Sequence, residues 1–464
     1  MSHSNRKWYQ LDNAAKIIPS TVQGANTRVF RISCELVDNV NPAILQEALD
    51  EVIEEFPYFN SVLRKGVFWY YLEHRDNLHP LVEEENLPPC SQIYFPGRRT
   101  LLYRVFYYRK RINLEMFHVL ADGTGALIFF RKLVTVYVAK KYNLQLSDWN
   151  EETSSKEEKD DDAFRHFYQR SGGLKQLKSL SSKRAYTIHG DIDPDRQPHL
   201  IEGCISVKQF KELSKQYNTS VGIMATAIYI ASVIEEMPVG ERKRPIVVSV
   251  PVNLRQYFHS ETTRNFYGTI TIVYDLYKQG EELPEIIEFV KQSFANQLSE
   301  ENIRNTMNSY AALEHNIAVK VVPLFIKNIA VQGIDRVAKK GVTSTMSNLG
   351  NIDMPPEVSI YIDRFSCFMT AISEQICVSS FKDKMVFGEV SAYTTHEIML
   401  HFFRRLVKMG IDVEVTSSDH NVDIDTVLNW EKNQIKEVEF EKADEETGDM
   451  EGEPVGCSTA PSVK

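Results

Sequence analysis

Apolar residues along the first half of the chain recur with two alternating periods. Residues 27–36 (T-R-V-F-R-I-S-C-E-L) are rich in β-branched and aromatic side chains and predict a strand. Ile44, Leu45, Leu49 and Ile53 fall at helical spacing and predict a helix over 42–56. Residues 66–72 predict a further strand, and residues 101–108 and 112–117 a hairpin around Arg109-Lys110-Arg111. Leu127, Phe130, Leu133, Val134, Tyr137 and Val138 then share one stripe and predict a helix over 123–142.

The second half repeats this alternation. Helices are expected at 206–217 and 221–236, the latter capped by Thr219 or Ser220, and near 283–298, 303–330 and 396–409. Strands are expected at 245–250, 269–274 and 343–347, in a meander over 359–365, 371–379 and 384–390, and at 411–415. Between the halves stands an apolar-free run, residues 151–162 (E-E-T-S-S-K-E-E-K-D-D-D), expected to be a charged surface loop. Residues 171–198 are rich in Gly, Ser, Lys and Asp and predict a crossover.

Mixed strands with helices between them, twice over, predict an α/β (α+β) protein. The expected division is an N-terminal domain over 1–185, a linker over 186–203, a C-terminal domain over 204–435 and a disordered acidic tail over 436–464. At 464 residues the chain exceeds one ordinary core, in keeping with two domains of roughly 200 residues each.

Composition narrows the function classes. Hydrophobic residues at 43% and charged residues at 25% are ordinary globular values, so the chain is not wholly disordered or collagenous. A net charge of −10 argues against a nucleic-acid partner, and Arg242-Lys243-Arg244 reads as a solvated edge. Cysteines at 34, 90, 204, 367, 377 and 457 have neither disulfide-framework nor zinc spacing and predict reduced thiols. The N-terminal residues hold no apolar signal core, and the longest apolar stretch, near 221–234, is short of the ~20 residues of a membrane span. The expectation is a cytoplasmic protein without a membrane span.

The chemistry concentrates at one strand end. In Ile112-Asn113-Leu114-Glu115-Met116-Phe117-His118 the even positions are apolar until His118, so strand alternation aims the imidazole inward. Asp122-Gly123 follows as a turn before a helix. A neutral imidazole there suits removal of a proton from a hydroxyl or amine near pH 7. On residue types alone the commoner reading of the pair is a satisfied core histidine beside a turn-forming aspartate.

The segment Phe117-His118-Val119-Leu120-Ala121-Asp122-Gly123 resembles the H-x-x-x-D-G signature of the chloramphenicol-acetyltransferase-like superfamily. That superfamily includes alcohol acetyltransferases, plant acyltransferases using CoA thioesters and condensation domains of peptide synthetases. The likeness is strongest to bacterial alcohol-acetyltransferase-like proteins. It extends to Trp8-Tyr9-Gln10-Leu11-Asp12-Asn13-Ala14-Ala15-Lys16, Pro251-Val252-Asn253-Leu254-Arg255, Arg264-Asn265-Phe266 and Ser347-Asn348-Leu349-Gly350, and so spans about residues 8–430. Blocks in this order are far more specific than the H-x-x-x-D-G pattern alone.

The resemblance implies two acetyltransferase-like domains, each a mixed sheet flanked by helices, with a tunnel between them in a monomer. It implies direct acyl transfer, acetyl among the candidates, from a CoA thioester to an alcohol or amine. His118 would be the base and Asp122 would orient the site through an arginine, for which Arg255 is the candidate. Gly123 would allow the tight turn, with Asn253, Asn348 and Gly350 as structural support and Ser347 as an oxyanion donor. Acyl-CoA would be a co-substrate, with no tightly bound cofactor and no metal. Phe117 stands where condensation domains carry a second histidine, which favours CoA over a carrier protein while leaving a carrier-bound donor open. A non-catalytic member that binds a ligand or partner in the cleft is the remaining alternative. The chain also lacks a G-x-S-x-G nucleophile elbow.

Three other patterns fail on spacing. His396 and His401 lie five residues apart, ~140° around a helix, and cannot share a metal from one face. Asp191, Asp193 and Asp195 mimic a calcium loop, but Arg196 replaces the turn glycine and Pro194 and Pro198 stiffen the run. Gly123-Thr124-Gly125 lacks the third glycine of a dinucleotide fingerprint, because position 128 is Ile.

Overall fold

The computed structural model describes residues 7–24, 26–146, 156–159, 161–167, 184–194, 198–315, 322–369, 374–391 and 393–418. The expected acidic tail, residues 151–155 of the charged run and residues 171–183 of the crossover lie outside the described residues. The strands are β1 (Trp8–Gln10), β2 (Val29–Leu36), β3 (Ser61–Lys65), β4 (Tyr70–His74), β5 (Val82–Glu84), β6 (Tyr103–Tyr108), β7 (Arg111–Phe117) and β8 (His199–Ser206). They continue as β9 (Ile246–Asn253), β10 (Tyr267–Tyr274), β11 (Ser344–Asn351), β12 (Ile362–Met369), β13 (Gln375–Phe381), β14 (Lys384–Ser391) and β15 (Glu414–Ser417).

Two mixed sheets dominate this α/β fold. The first runs β12-β2-β7-β6-β5, antiparallel except for β5 against β6. The second runs β10-β9-β11-β13-β14-β8-β15, with β11 parallel to both β9 and β13. A small sheet, β1-β4-β3, is the third among the described residues.

Each large sheet has its own core. Helices Pro42–Ile53 and Gly123–Tyr142 pack on each other beside the first sheet. Leu127, Phe130, Leu133, Val134, Tyr137 and Val138, the stripe expected from the sequence, are all buried there. Beside the second sheet, helix Val221–Glu236 is apolar on every side because helices Leu283–Gln297 and Glu397–Lys408 both pack on it. No single described helix is long and apolar enough to cross a membrane. Five described cysteines, Cys34, Cys90, Cys204, Cys367 and Cys377, are buried and free.

Several elements differ from the sequence reading. Residues His199–Ser206, assigned mostly to a linker, form β8, paired on both sides. Its Glu202 is buried and receives a hydrogen bond from Arg111 Nη2 at 2.6 Å, with Arg364 Nη2 at 3.8 Å. Polar residues thus sit inside because charge partners wait on β7 and β12. The expected meander keeps only β13 and β14, since β12 instead joins β2 in the first sheet. Among the described residues, the span expected as a single helix over 303–330 holds Glu300–His315 and a separate helix, Leu324–Lys339, with Pro323 at the N-cap of the latter. Proline lacks the N–H a continuous helix needs, and it biases its predecessor away from helical backbone. Within the charged run, Lys156–Lys159 forms a helical turn, and Ala163 and Phe164 beyond it bury with Leu254, Phe258 and Phe266.

Replacing Leu133 by alanine is expected to cost roughly 2–5 kcal/mol, the usual penalty for emptying a fully packed core position. Its fully buried side chain sits on the main helix of the first core. Urea unfolding of the variant reads the loss; a midpoint unchanged from wild type would mean this helix is not in the core.

Candidate functional site

His118 directly follows β7, its N–H donating to Arg28 O at 2.9 Å in continuation of the β2–β7 ladder. The half-buried ring meets Phe30 edge-on at 5.2 Å and Tyr267 at 5.7 Å. β2 and β10 belong to different sheets, so the imidazole stands where the two sheets meet. Burial holds its pKa below the usual 6.5, against the opposing pull of the Asp122 charge. The ring is therefore neutral near pH 7.

Asp122 caps helix Gly123–Tyr142, its Oδ1 accepting from Gly125 N at 2.8 Å. The same carboxylate accepts from Arg255 Nη2 at 3.0 Å, Arg255 Nη1 at 2.9 Å and Phe266 N at 2.8 Å. Arg255 is buried, and its remaining donors reach Thr262 O at 2.8 Å, Asn253 Oδ1 at 3.2 Å and Arg264 O at 2.6 Å. Every guanidinium N–H is thereby used, in a fork that lysine cannot reproduce. The pair fastens the start of the helix after β7 to the loop joining β9 and β10.

That loop also reaches the imidazole. Asn265, buried, has Oδ1 3.0 Å from His118 Nδ1 and donates through Nδ2 to Asp12 Oδ2 at 3.1 Å. Asp12 is fully buried, accepts from Ala15 N at 2.8 Å and lies 4.0 Å from Arg264 Nε. Burial lifts its pKa to about 6, moderated chiefly by the Arg264 charge. Ionised at pH 7, Asp12 only accepts, so it takes the amide N–H of Asn265 and turns the amide oxygen to the histidine. His118 Nδ1 must then carry the proton, and Nε2 keeps its lone pair.

No protein-family model matches the sequence, and no curated protein matches it. Solved structures do. A trichothecene 15-O-acetyltransferase from Fusarium sporotrichioides superposes with a TM-score of 0.58 at 9% identity, over 88% of this chain and 95% of that one. F. graminearum TRI101, complexed with coenzyme A and T-2 mycotoxin, gives 0.57 at 12% over 88% and 99%. The first condensation domain of the CDA synthetase gives 0.56 at 13% over 88% and 95%. The chain thus shares the fold of these acetyltransferases and of the condensation domain.

Within this acetyltransferase-like fold the site residues expected from the sequence fall into two groups. His118, Asp122, Gly123, Asn253 and Arg255 come together around the loop between β9 and β10. Ser347 lies within β11 as expected, and Asn348 and Gly350 lie within it too rather than after it, because β11 runs on to Asn351 through a bulge against β13. Asn348 Oδ1 accepts from Gly350 N at 2.8 Å, and Gly350 has a φ of +77°. Between them Leu349 reaches Gly123, where an added Cβ would stand 2.8 Å from Leu349 Cδ2.

Asn265 and Asp12 escaped assignment to the site, although both lie in sequence blocks that carried the resemblance. The second glycine of Gly123-Thr124-Gly125 has a packing role instead: a Cβ at Gly125 would lie 1.9 Å from Thr263 O. His396 is buried with its Nδ1 3.4 Å from Glu389 Oε2, well placed as a core histidine. His401 lies between Glu235 and Glu236, and Glu236, Glu397 and His401 each bring a ligand atom within 4.8 Å of the others. Both ring nitrogens of His401 already face carboxylates, Glu235 at 3.1 Å and Glu236 at 3.3 Å, as in a surface ion-pair group.

Gly125→Ala and Gly123→Ala should behave differently. The first pushes a methyl into the backbone of the loop that holds Asn265 and Arg255 and is expected to cost more than about 2 kcal/mol; the second displaces one flexible leucine tip and costs less. Thermal unfolding of both variants measures this, and equal midpoints would contradict the close approach.

Proposed function

We propose that the chain is an acyltransferase in which His118 Nε2 removes the proton from an alcohol or amine as it attacks the carbonyl of a CoA thioester. The observation that carries this reading is the Asp12–Asn265–His118 chain, which leaves a neutral imidazole with its lone pair on Nε2. A satisfied core histidine needs no such arrangement. The new C–O or C–N bond forms at the thioester carbon, the C–S bond breaks, and the proton held on Nε2 passes to the departing thiolate. The products are the ester or amide and free CoA.

The other roles follow from placement. Asp122 acts through Arg255 and holds the loop that carries Asn265; it is a positioning residue. Ser347, on β11 two residues before the Leu349 that meets Gly123, is the proposed donor to the developing oxyanion. The co-substrate is an acyl-CoA, in keeping with the coenzyme A bound by F. graminearum TRI101. Phe117, at the place of a second histidine, is fully buried and stacked on Tyr94 at 5.3 Å, which favours a CoA donor over a carrier protein. A monomer working in the cytoplasm, with a small-molecule acceptor, completes the proposal.

Thiol release from acetyl-CoA with a panel of alcohols and amines tests it. Wild type is expected to turn over at least one acceptor, and His118→Ala to lose roughly 100-fold or more in kcat/KM. An inactive wild type, or a His118→Ala variant as active as wild type, would refute the proposal.

The pH profile supplies a second test. Rates are expected to level off above neutrality, where His118 is neutral and Asp12 ionised. As pH falls, Asp12 gains a proton near pH 6 and no longer holds the Asn265 amide by accepting alone, and His118 takes up a proton of its own, so two protonations remove the working arrangement. The acid limb should be steeper than a single protonation gives, and Asp12→Asn should return it to a single one. An unchanged limb in that variant would remove Asp12 from the account.

A further inference from the structure

The outward face of helix Leu324–Lys339 is bare and apolar. Phe325, Ile326, Ile329, Ile334 and Val337 are 60%, 46%, 69%, 63% and 67% exposed, and at 100° per residue they spread over roughly 180°, the half of the helix opposite Leu324, Asn328 and Asp335. The turn between β3 and β4 extends the patch, because Val67 O accepts from Leu324 N at 2.9 Å and Phe68 O from Lys327 Nζ at 3.0 Å. Both turn residues are themselves exposed. An apolar surface of this extent in water is disfavoured unless something covers it.

The inner face fixes the helix in place. Asn328 accepts from Ser20 Oγ at 2.7 Å and donates to Tyr70 OH at 3.0 Å. Asp335 accepts from Arg28 Nη2 at 3.2 Å and also pairs with Lys339. Arg28 is the residue whose carbonyl receives the His118 N–H, so one residue separates the apolar helix from the candidate base.

Charge identifies the partner. The chain carries a net −10, yet residues 324–340 hold Lys327, Arg336, Lys339 and Lys340 against the lone carboxylate of Asp335. Aliphatic and aromatic tips flanked by lysine and arginine match a bilayer interface, where apolar tips enter the acyl region and cations meet phosphates. We infer that helix Leu324–Lys339, with the Val67–Phe68 turn, is a docking surface for an anionic phospholipid membrane. This holds whether or not the acyl-transfer reading is right, because it rests on surface chemistry alone.

Vesicle flotation of the full chain tests the inference, with phosphatidylcholine vesicles that either contain or lack phosphatidylglycerol. The wild type is expected to float with the anionic vesicles and far less with the neutral ones. Phe325→Asp combined with Ile329→Asp should bind at least about tenfold more weakly. Both side chains are exposed, so the thermal transition should not move. A wild type that floats with neither vesicle overturns the proposal, as does a double variant that floats undiminished. Light scattering that shows a wild-type dimer broken by the double variant would overturn it too, since a second copy would then cover the face.

Discussion

The buried pair between Asp122 and Arg255 is the constraint on which the rest of the site depends. The residues are 133 positions apart, and their contact fixes the helix after β7 against the loop between β9 and β10. A buried ion pair gains little over a well-packed apolar pair, but losing one partner leaves a desolvated charge and typically costs about 3–5 kcal/mol. Here the cost is met by completeness, because the carboxylate accepts four hydrogen bonds and the guanidinium spends all its donors. Such a junction has one low-energy arrangement. Asn265, on the same loop, therefore reaches His118 in one geometry.

From that geometry the histidine acquires its character. Burial alone would give a neutral ring of either tautomer. Asp12 removes the ambiguity at one remove, since a carboxylate can only accept and so decides which end of the amide faces the imidazole. The two layers do different work: the ion pair positions the loop, and the Asp12–Asn265 relay sets the proton. A second set of charges, Glu35 and Arg111 with Arg364 and Glu202, ties the same two sheets together at the other end of β7.

Local signals made part of this legible. The Asp-Gly turn places Asp122 at a helix start without any knowledge of distant partners, and apolar spacing marks most helices beside both sheets; alternation along β7 says less about His118, because Asn113, Glu115 and Phe117 on the other face are buried too. The pairing of strands does not follow, because period two marks a strand but not its neighbour; hence β12 was expected beside β13 in a meander and joins β2 instead. β8 was hidden for a related reason. Its buried Glu202 reads as polar linker until Arg111 and Arg364 approach from other elements. Asn265 and Asp12, 253 residues apart, carry no mark of their meeting beyond the sequence blocks they sit in. Pro323 marks a break inside the span expected as one helix over 303–330, and spacing alone gave no sign that Phe325, Ile326 and Ile329 beyond it lie at the surface.

The most direct test of the central claim is the tautomer of His118, read from the ring 15N resonances of the full chain just above neutral pH. The account predicts a proton on Nδ1 and a lone pair on Nε2, with that signature lost when Asn265 is replaced by alanine. A ring protonated on Nε2, or one indifferent to Asn265, would contradict it.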